Sequence, residues 1–342
     1  MKAFALNRIC DLTKTETPLE PVEMPVPVPV RKEVLLRVRT CGVCHTELDE
    51  IEGRTPPPVF PVVPGHQVVG IVDGLGSWVT RFRTGERVGV GWIYSACGRC
   101  RFCRDGLENL CTEFRATGRD ANGGYAQYMA VHEDYAHPIP AIFSDAQAAP
   151  LLCAGAIGYR SLRLAGLKDG QNLGLTGFGA SAHLVLMMVR HTLPDVKVHV
   201  FARSPKEREF ALDLGAAWAG DTGERAPQRL HSIIDTTPVW KPVVDALANL
   251  EAGGRLVINA IRKEETDKKE LLRLDYPVHL WMEKEIRSVA NVARADIAEF
   301  LRLAAEIPIR PEVQEYPFSE ANRALLELKN RQVRGAKVLV ME

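Results

Sequence analysis

Four cysteines crowded into residues 97–111 constrain this chain more than any other feature. Their spacing is Cys97-x2-Cys100-x2-Cys103-x7-Cys111. Thiolates this close in sequence can close a tetrahedron around Zn²⁺ with no position left open, the pattern of a structural site. An iron–sulfur cluster also takes four cysteines and ranks second. Four free thiols in a loop would be prone to oxidation. The surrounding lobe, residues 95–113, is rich in Cys, Arg and Gly. Its apolar content is too low for burial alone to fold it, so metal is expected to supply the folding energy.

The 342 residues are enough for about two domains. Lys plus Arg number 43 and Asp plus Glu number 43, which leaves no excess of positive charge to collect phosphates and excludes a typical nucleic-acid binder. No apolar run approaches the roughly 18 residues of a membrane helix. The start, MKAFALNRIC, lacks the apolar core of a signal peptide. A cytoplasmic protein is expected, in which thiols stay reduced and clustered cysteines point to metal rather than disulfides.

The two halves of the chain have different textures. The first 90 residues read as all-β: runs at 34–39, 68–72 and 87–90 are separated by Gly turns and preceded by a Pro-rich stretch. From 172 to 260, strands and helices alternate, which implies a doubly wound parallel sheet. Strands are expected at 172–176, 197–202, 233–235 and 256–258, with helices at 180–191, 205–214 and 242–250. Ser204-Pro205-Lys206-Glu207 predicts a capping box. The pair Gly253-Gly254 reads as a break, and the charged run 262–270 as a solvated loop or helix face.

Between the first of these strands and its helix lies Gly177-Phe178-Gly179-Ala180-Ser181-Ala182, which fits G-x-G-x-x-G/A. Gly177 would make the turn, Gly179 would admit a pyrophosphate close to the backbone, and Ala182 would pack the helix on the sheet; Ala180 opens the helix. The next strand ends in Ala202-Arg203-Ser204. No acid stands there to accept from a ribose 2′-hydroxyl. Arginine and a hydroxyl suit a 2′-phosphate, which favours NADP(H) over NAD(H). The alternative is that Arg203 is a surface residue on which adenine stacks.

His66, in Gly65-His66-Gln67-Val68-Val69-Gly70, combines with Cys44 and Cys153 into a Cys2His set with one open position. Such a set holds a catalytic Zn²⁺ and leaves room for water or an alcohol.

With these motifs in order, the chain resembles the zinc-dependent medium-chain alcohol dehydrogenases. The resemblance runs from Cys41-Gly42-Val43-Cys44-His45-Thr46 through Gly65-His66, the four-Cys lobe and Pro150-Leu151-Leu152-Cys153-Ala154-Gly155 to the Gly-rich turn. It implies a GroES-like β-rich catalytic domain, residues 1–152 and 290–342, and a Rossmann NAD(P)-binding domain, residues 153–289. It also implies two zinc ions per chain, one catalytic on Cys44, His66 and Cys153 and one structural on the four cysteines. Cys41 and Cys10 would be bystanders. Thr46 would take the alcohol proton, and Asp49 stands where many relatives end the relay with histidine. His45 would face the cofactor pyrophosphate, and Trp92 would line the substrate pocket or serve as a core aromatic. Glu47 replaces an aspartate behind His66, and Gln67 replaces the glutamate of the family's Gly-His-Glu. The implied activity is reversible hydride transfer between a primary alcohol and its aldehyde, by a homotetramer or homodimer that needs only a small-molecule partner. The alternatives are a zinc- and nucleotide-binding redox sensor with little turnover, and an enoyl or quinone reductase on the same fold.

Overall fold

The computed structural model describes residues 1–307, 309–330 and 335–341. Backbone contacts divide the chain into two units: Met1–Cys153 with Ala293–Glu342, and Ala154–Val292. Among the described residues no helix is long and apolar enough to cross a membrane.

The first unit is built on a mixed sheet whose long strand is Glu33–Val43. This strand pairs antiparallel with Val68–Leu75, and so Cys41 stands opposite Val68. The end of one strand therefore lies beside the start of the other, and Cys44 and His66 leave the sheet at that shared edge. The C-terminal strand Ala336–Val340 returns to pair antiparallel with the same long strand, Leu339 opposite Cys41. Val34, Leu36 and Val38 alternate into the core together with Val68, Val72, Val88 and Val90. Such alternation on one buried face specifies the register, because a slip of one residue would turn the apolar set to solvent.

The all-β reading of the first 90 residues missed one element. His45–Ile51 is an α-helix, and every residue from Thr46 to Ile51 is buried. Seven residues are too few to show a helical period, and burial on all sides erases the amphipathic stripe that would reveal one.

The second unit is a six-stranded parallel sheet. Its order is Trp218–Gly220, Lys197–Phe201, Asn172–Thr176, Leu230–Asp235, Leu250–Ile258, Glu285–Ser288. Ala180–Thr192, Pro205–Asp213 and Lys241–Leu247 are helices, close to the sequence expectation. The strands Trp218–Gly220 and Glu285–Ser288 were not expected, the helix expected at 242–250 ends at Leu247, and two further local readings differ. Gly253 and Gly254 do not break the chain but lie inside the strand Leu250–Ile258, where the register to its neighbour slips between Leu230 and Ser232. Ser204 makes no side-chain cap; it takes part in the helix start only through its carbonyl, which accepts from the Arg208 N–H at 3.1 Å.

In the first unit, His137 pairs through its strand with Gly89 and is almost fully buried. Burial, with Arg81 and Arg294 adding to it, pushes its pKa down from 6.5 to about 3. An unfolded His binds a proton below about 6.5 and the folded one does not. The contribution is therefore fully present above that pH and is lost as pH falls toward 3. Between pH 7 and pH 5 the wild type should lose about 2 kcal/mol more stability than His137→Phe. Denaturation midpoints of the two proteins at both pH values check this, and parallel losses would refute it.

Candidate active site and nucleotide turn

Cys44 ends the extended chain and sets the start of the buried helix. Its backbone N–H donates to Glu47 Oε2 at 2.8 Å. Glu47 is fully buried, and its other oxygen lies 2.6 Å from His66 Nδ1. This bond places the His66 proton on Nδ1 and leaves the Nε2 lone pair toward the thiols. Nε2 lies 3.3 Å from Cys153 Sγ.

His66 reaches this position because Gly65 adopts φ +98°. A Cβ on Gly65 would lie 2.4 Å from the Tyr125 ring and 2.8 Å from Cys41 Sγ, so only glycine fits the turn. Cys153 comes from a π-helical turn, Leu151–Gly155, the kind of helix defect that re-aims a side chain. The side-chain donor atoms of Cys44, His66 and Cys153 all lie within 4.8 Å of one another. Two sulfurs and one imidazole nitrogen so close fit a zinc ion that keeps a position for substrate. The hydrogen bond to Cys153, opposed by burial and aided by His66, holds the Cys44 thiol well below its usual range. The same bond, with burial, pushes the Cys153 thiol up.

Of the neighbours predicted to assist, Thr46 and Trp92 touch the ligand residues. Thr46 is buried, with Oγ1 3.6 Å from Cys44 Sγ. The Asp49 carboxylate accepts from Arg54 Nε at 2.5 Å. Gln67 is buried against the strand: a Cβ on Gly42 would lie 2.6 Å from its Oε1. Trp92 packs edge-on against His66 with ring centroids 5.1 Å apart, and His45 is exposed. Cys41 is buried in the core of the first unit, and Cys10 packs against that core with its backbone N–H donating to the Ile51 carbonyl at 2.8 Å. Sequence reasoning missed Glu50, buried on the same helix, whose carboxyl is pushed up by burial and then by Glu47. Its i, i+3 spacing from Glu47 was the available signal.

The four sulfurs of Cys97, Cys100, Cys103 and Cys111 also lie within 4.8 Å of one another. The lobe is closed at its neck by the antiparallel pair Ile93–Ser95 and Arg115–Ala116. Backbone N–H groups aim at sulfur: Cys100 N to Cys97 Sγ at 3.4 Å and Glu113 N to Cys111 Sγ at 3.3 Å. Backbone donors from Arg99 and Cys100 bring the Cys97 thiol down to about 6, while burial takes Cys103 up to about 12. Four thiol donors with no fifth group among them fit a closed structural zinc site. An anchor that the sequence did not show is buried Glu108, 2.5 Å from Arg294 Nε.

In the second unit, Gly177 has φ +76° and its N–H donates to the Phe201 carbonyl at 2.9 Å, which ties the turn to the neighbouring strand. The helix begins at Ala180, Gly179 is its N-cap, and Ala182 is buried on the sheet. Ala202 is buried and Arg203 exposed, with Ser204 between burial and exposure. Arg208, which sequence reasoning passed over, donates to the carbonyls of Ala202 at 2.8 Å and Arg203 at 3.2 Å.

Because Glu47 sets both the His66 tautomer and the Cys44 backbone, Glu47→Ala should weaken zinc binding in the Cys44–His66–Cys153 site by about 10- to 100-fold while sparing the four-Cys lobe. Zinc per chain after graded chelation measures this, and equal loss from both sites would contradict it.

The comparisons with known proteins accord with this geometry. The alcohol dehydrogenase GroES-like domain matches residues 30–141. A probable alcohol dehydrogenase (AdhA) of Mycobacterium tuberculosis is 43% identical over 329 residues, 95% of this chain and 93% of the relative. An alcohol dehydrogenase of Geobacillus stearothermophilus is 30% identical and is covered to 99%, with 100% of this chain matched. A solved cinnamyl alcohol dehydrogenase from Sorghum bicolor superposes with a TM-score of 0.82 at 26% identity, over 99% of this chain and 97% of that one. The identity and the coverage together establish that this chain belongs to the zinc-dependent medium-chain alcohol dehydrogenase family.

Proposed function

We propose that this chain interconverts a primary alcohol and its aldehyde with NADP(H) in preference to NAD(H), using one catalytic and one structural zinc. The observation that carries the reading is the convergence of Cys44, His66 and Cys153 within 4.8 Å, with Thr46 beside them. The first unit would be the catalytic domain and the second the nucleotide domain. Zinc, when bound, polarises the substrate oxygen, and the nicotinamide exchanges the hydride. The protein residues hold and move the proton. Glu47 keeps His66 in the ligand tautomer. Thr46 Oγ1 accepts the proton of the alcohol hydroxyl as its own hydroxyl proton leaves, and the carboxylate of Asp49, oriented by Arg54, receives the outgoing proton and passes it to solvent. The absence of an acid at the end of the strand Lys197–Phe201, with Arg203 and Arg208 flanking it, supports the 2′-phosphate reading.

Turnover and metal content test the whole reading together. Expected are about two zinc ions per chain and reduction of benzaldehyde or acetaldehyde faster with NADPH than with NADH. Thr46→Ala should retain zinc and lose about 100-fold in kcat, with Thr46→Ser largely restored. About one zinc and no turnover with either nucleotide would reject the enzyme reading and favour the binding-only alternative.

We also assign the protein to a homo-oligomer. The edge strand Glu285–Ser288 is exposed along its length, and Trp281, Met282 and Ile286 are each about half exposed beside it. An open strand edge with exposed apolar side chains on and before it is a template for another chain. Light scattering should show a dimer or tetramer that Ile286→Lys dissociates, and a monomeric wild type would overturn the assignment.

A further inference from the structure

The strand order of the parallel sheet reverses beside Asn172–Thr176. The chain runs outward to Lys197–Phe201 and Trp218–Gly220, then returns to the other side with Leu230–Asp235. Ligands of open α/β sheets bind outside the carboxyl ends of the strands at such a switch point. Its two lips here are the Gly177 turn and residues 236–240. They touch closely: a Cβ on Gly177 would lie 2.8 Å from Thr236 Oγ1. Thr236 also donates to the Thr176 carbonyl through its N–H at 3.0 Å and its hydroxyl at 2.9 Å.

Beneath both lips lies the fully buried Asp235. Its Oδ1 accepts from the hydroxyls of Thr176 at 2.6 Å and Thr237 at 2.8 Å. Its Oδ2 accepts from the ammonium of Lys263, whose side chain is 7% exposed. Lys263 further donates to the carbonyls of Thr237 at 2.6 Å and Val239 at 3.1 Å, so its three donors meet three acceptors. The neighbours of Lys263 bind the same loop. Glu264 N–H donates to the Pro238 carbonyl at 2.7 Å, and the Asp267 carboxylate accepts from the N–H groups of Trp240 and Lys241 at 2.9 and 2.8 Å. Glu265, Thr266, Lys268 and Lys269 of the charged run are exposed, as the sequence reads, but Lys263, Glu264 and Asp267 strap one lip of the crevice.

Desolvation leaves a buried ion pair with little net stability, so stability alone is a weak reason for this one. Its place offers a better reason. An unpaired Asp235 would set a carboxylate directly under the turn that, on the nucleotide reading proposed above, receives a diphosphate. We infer that Lys263 is a positioning residue for the dinucleotide: it neutralises Asp235 at the switch point and, through the Thr237 and Val239 carbonyls, holds residues 236–240 against the Gly177 turn.

The test uses the zinc-loaded full chain, titrated with NADPH and NADH by nicotinamide fluorescence, with thermal midpoints measured alongside. Lys263→Met should raise the dinucleotide Kd about tenfold or more, with the KM for alcohol and the zinc content unchanged. The double variant Asp235→Asn with Lys263→Met removes both charges and should recover the thermal midpoint while the Kd stays raised about fivefold. A Kd within about twofold of wild type in the single variant would overturn the inference, as would a Kd that returns together with the midpoint in the double variant. Wild-type protein that binds neither nucleotide would reject the nucleotide reading itself, and this inference with it.

Discussion

The carboxylate of Glu47 is the contact on which the metal site depends. One of its oxygens accepts from the backbone of Cys44 and the other from His66 Nδ1. A single buried side chain thus starts the helix, sets the imidazole tautomer and brings two ligands from neighbouring strand ends into one geometry. Removing Glu47 from water is costly, and two short hydrogen bonds to groups that are themselves fixed offset that cost. The third ligand is independent of this contact. Cys153 arrives through a π-turn far along the chain, and it meets His66 Nε2 because Gly65 admits the turn that only glycine fits.

The two cysteine sets use thiols differently, and the difference lies in the backbone. In the lobe, four sulfurs come from one short segment closed by a two-stranded neck, and main-chain N–H groups point at them. That arrangement saturates a metal ion. In the first unit's other site, two sulfurs and one nitrogen come from three distant segments, and a hydroxyl stands next to them instead of a fourth ligand. That arrangement leaves a coordination position for chemistry.

The second unit repeats the use of a buried carboxylate, here at a strand end. Asp235 joins the last residue of one strand, Thr176, to the loop that follows its neighbour, and Lys263 completes it. Glu47, in the first turn of its helix, and Asp235, at the end of its strand, are each buried acids satisfied by at least one partner distant in sequence, His66 and Lys263. Each therefore links positions that local structure alone would leave independent.

Residue type and spacing were sufficient to show what depends on local chemistry: the four-Cys lobe, the Gly-rich turn between strand and helix, the alternation of strands and helices after residue 172, and the candidate ligands themselves. The first three depend on short-range geometry, which the covalent chain carries with it, whereas Cys44, His66 and Cys153 were legible by residue type and motif and only the fold brings them together. The helix at His45–Ile51 was not legible, because full burial removes its amphipathic stripe. Neither was the burial of Lys263, because a charge run looks the same whether water or a carboxylate meets it. The pairing of Glu108 with Arg294 and the packing of Trp92 on His66 were also left open. Tertiary structure decided these, because the partner of a buried polar or aromatic side chain lies far away in sequence, and only the folded sheet brings the two within hydrogen-bonding or van der Waals reach.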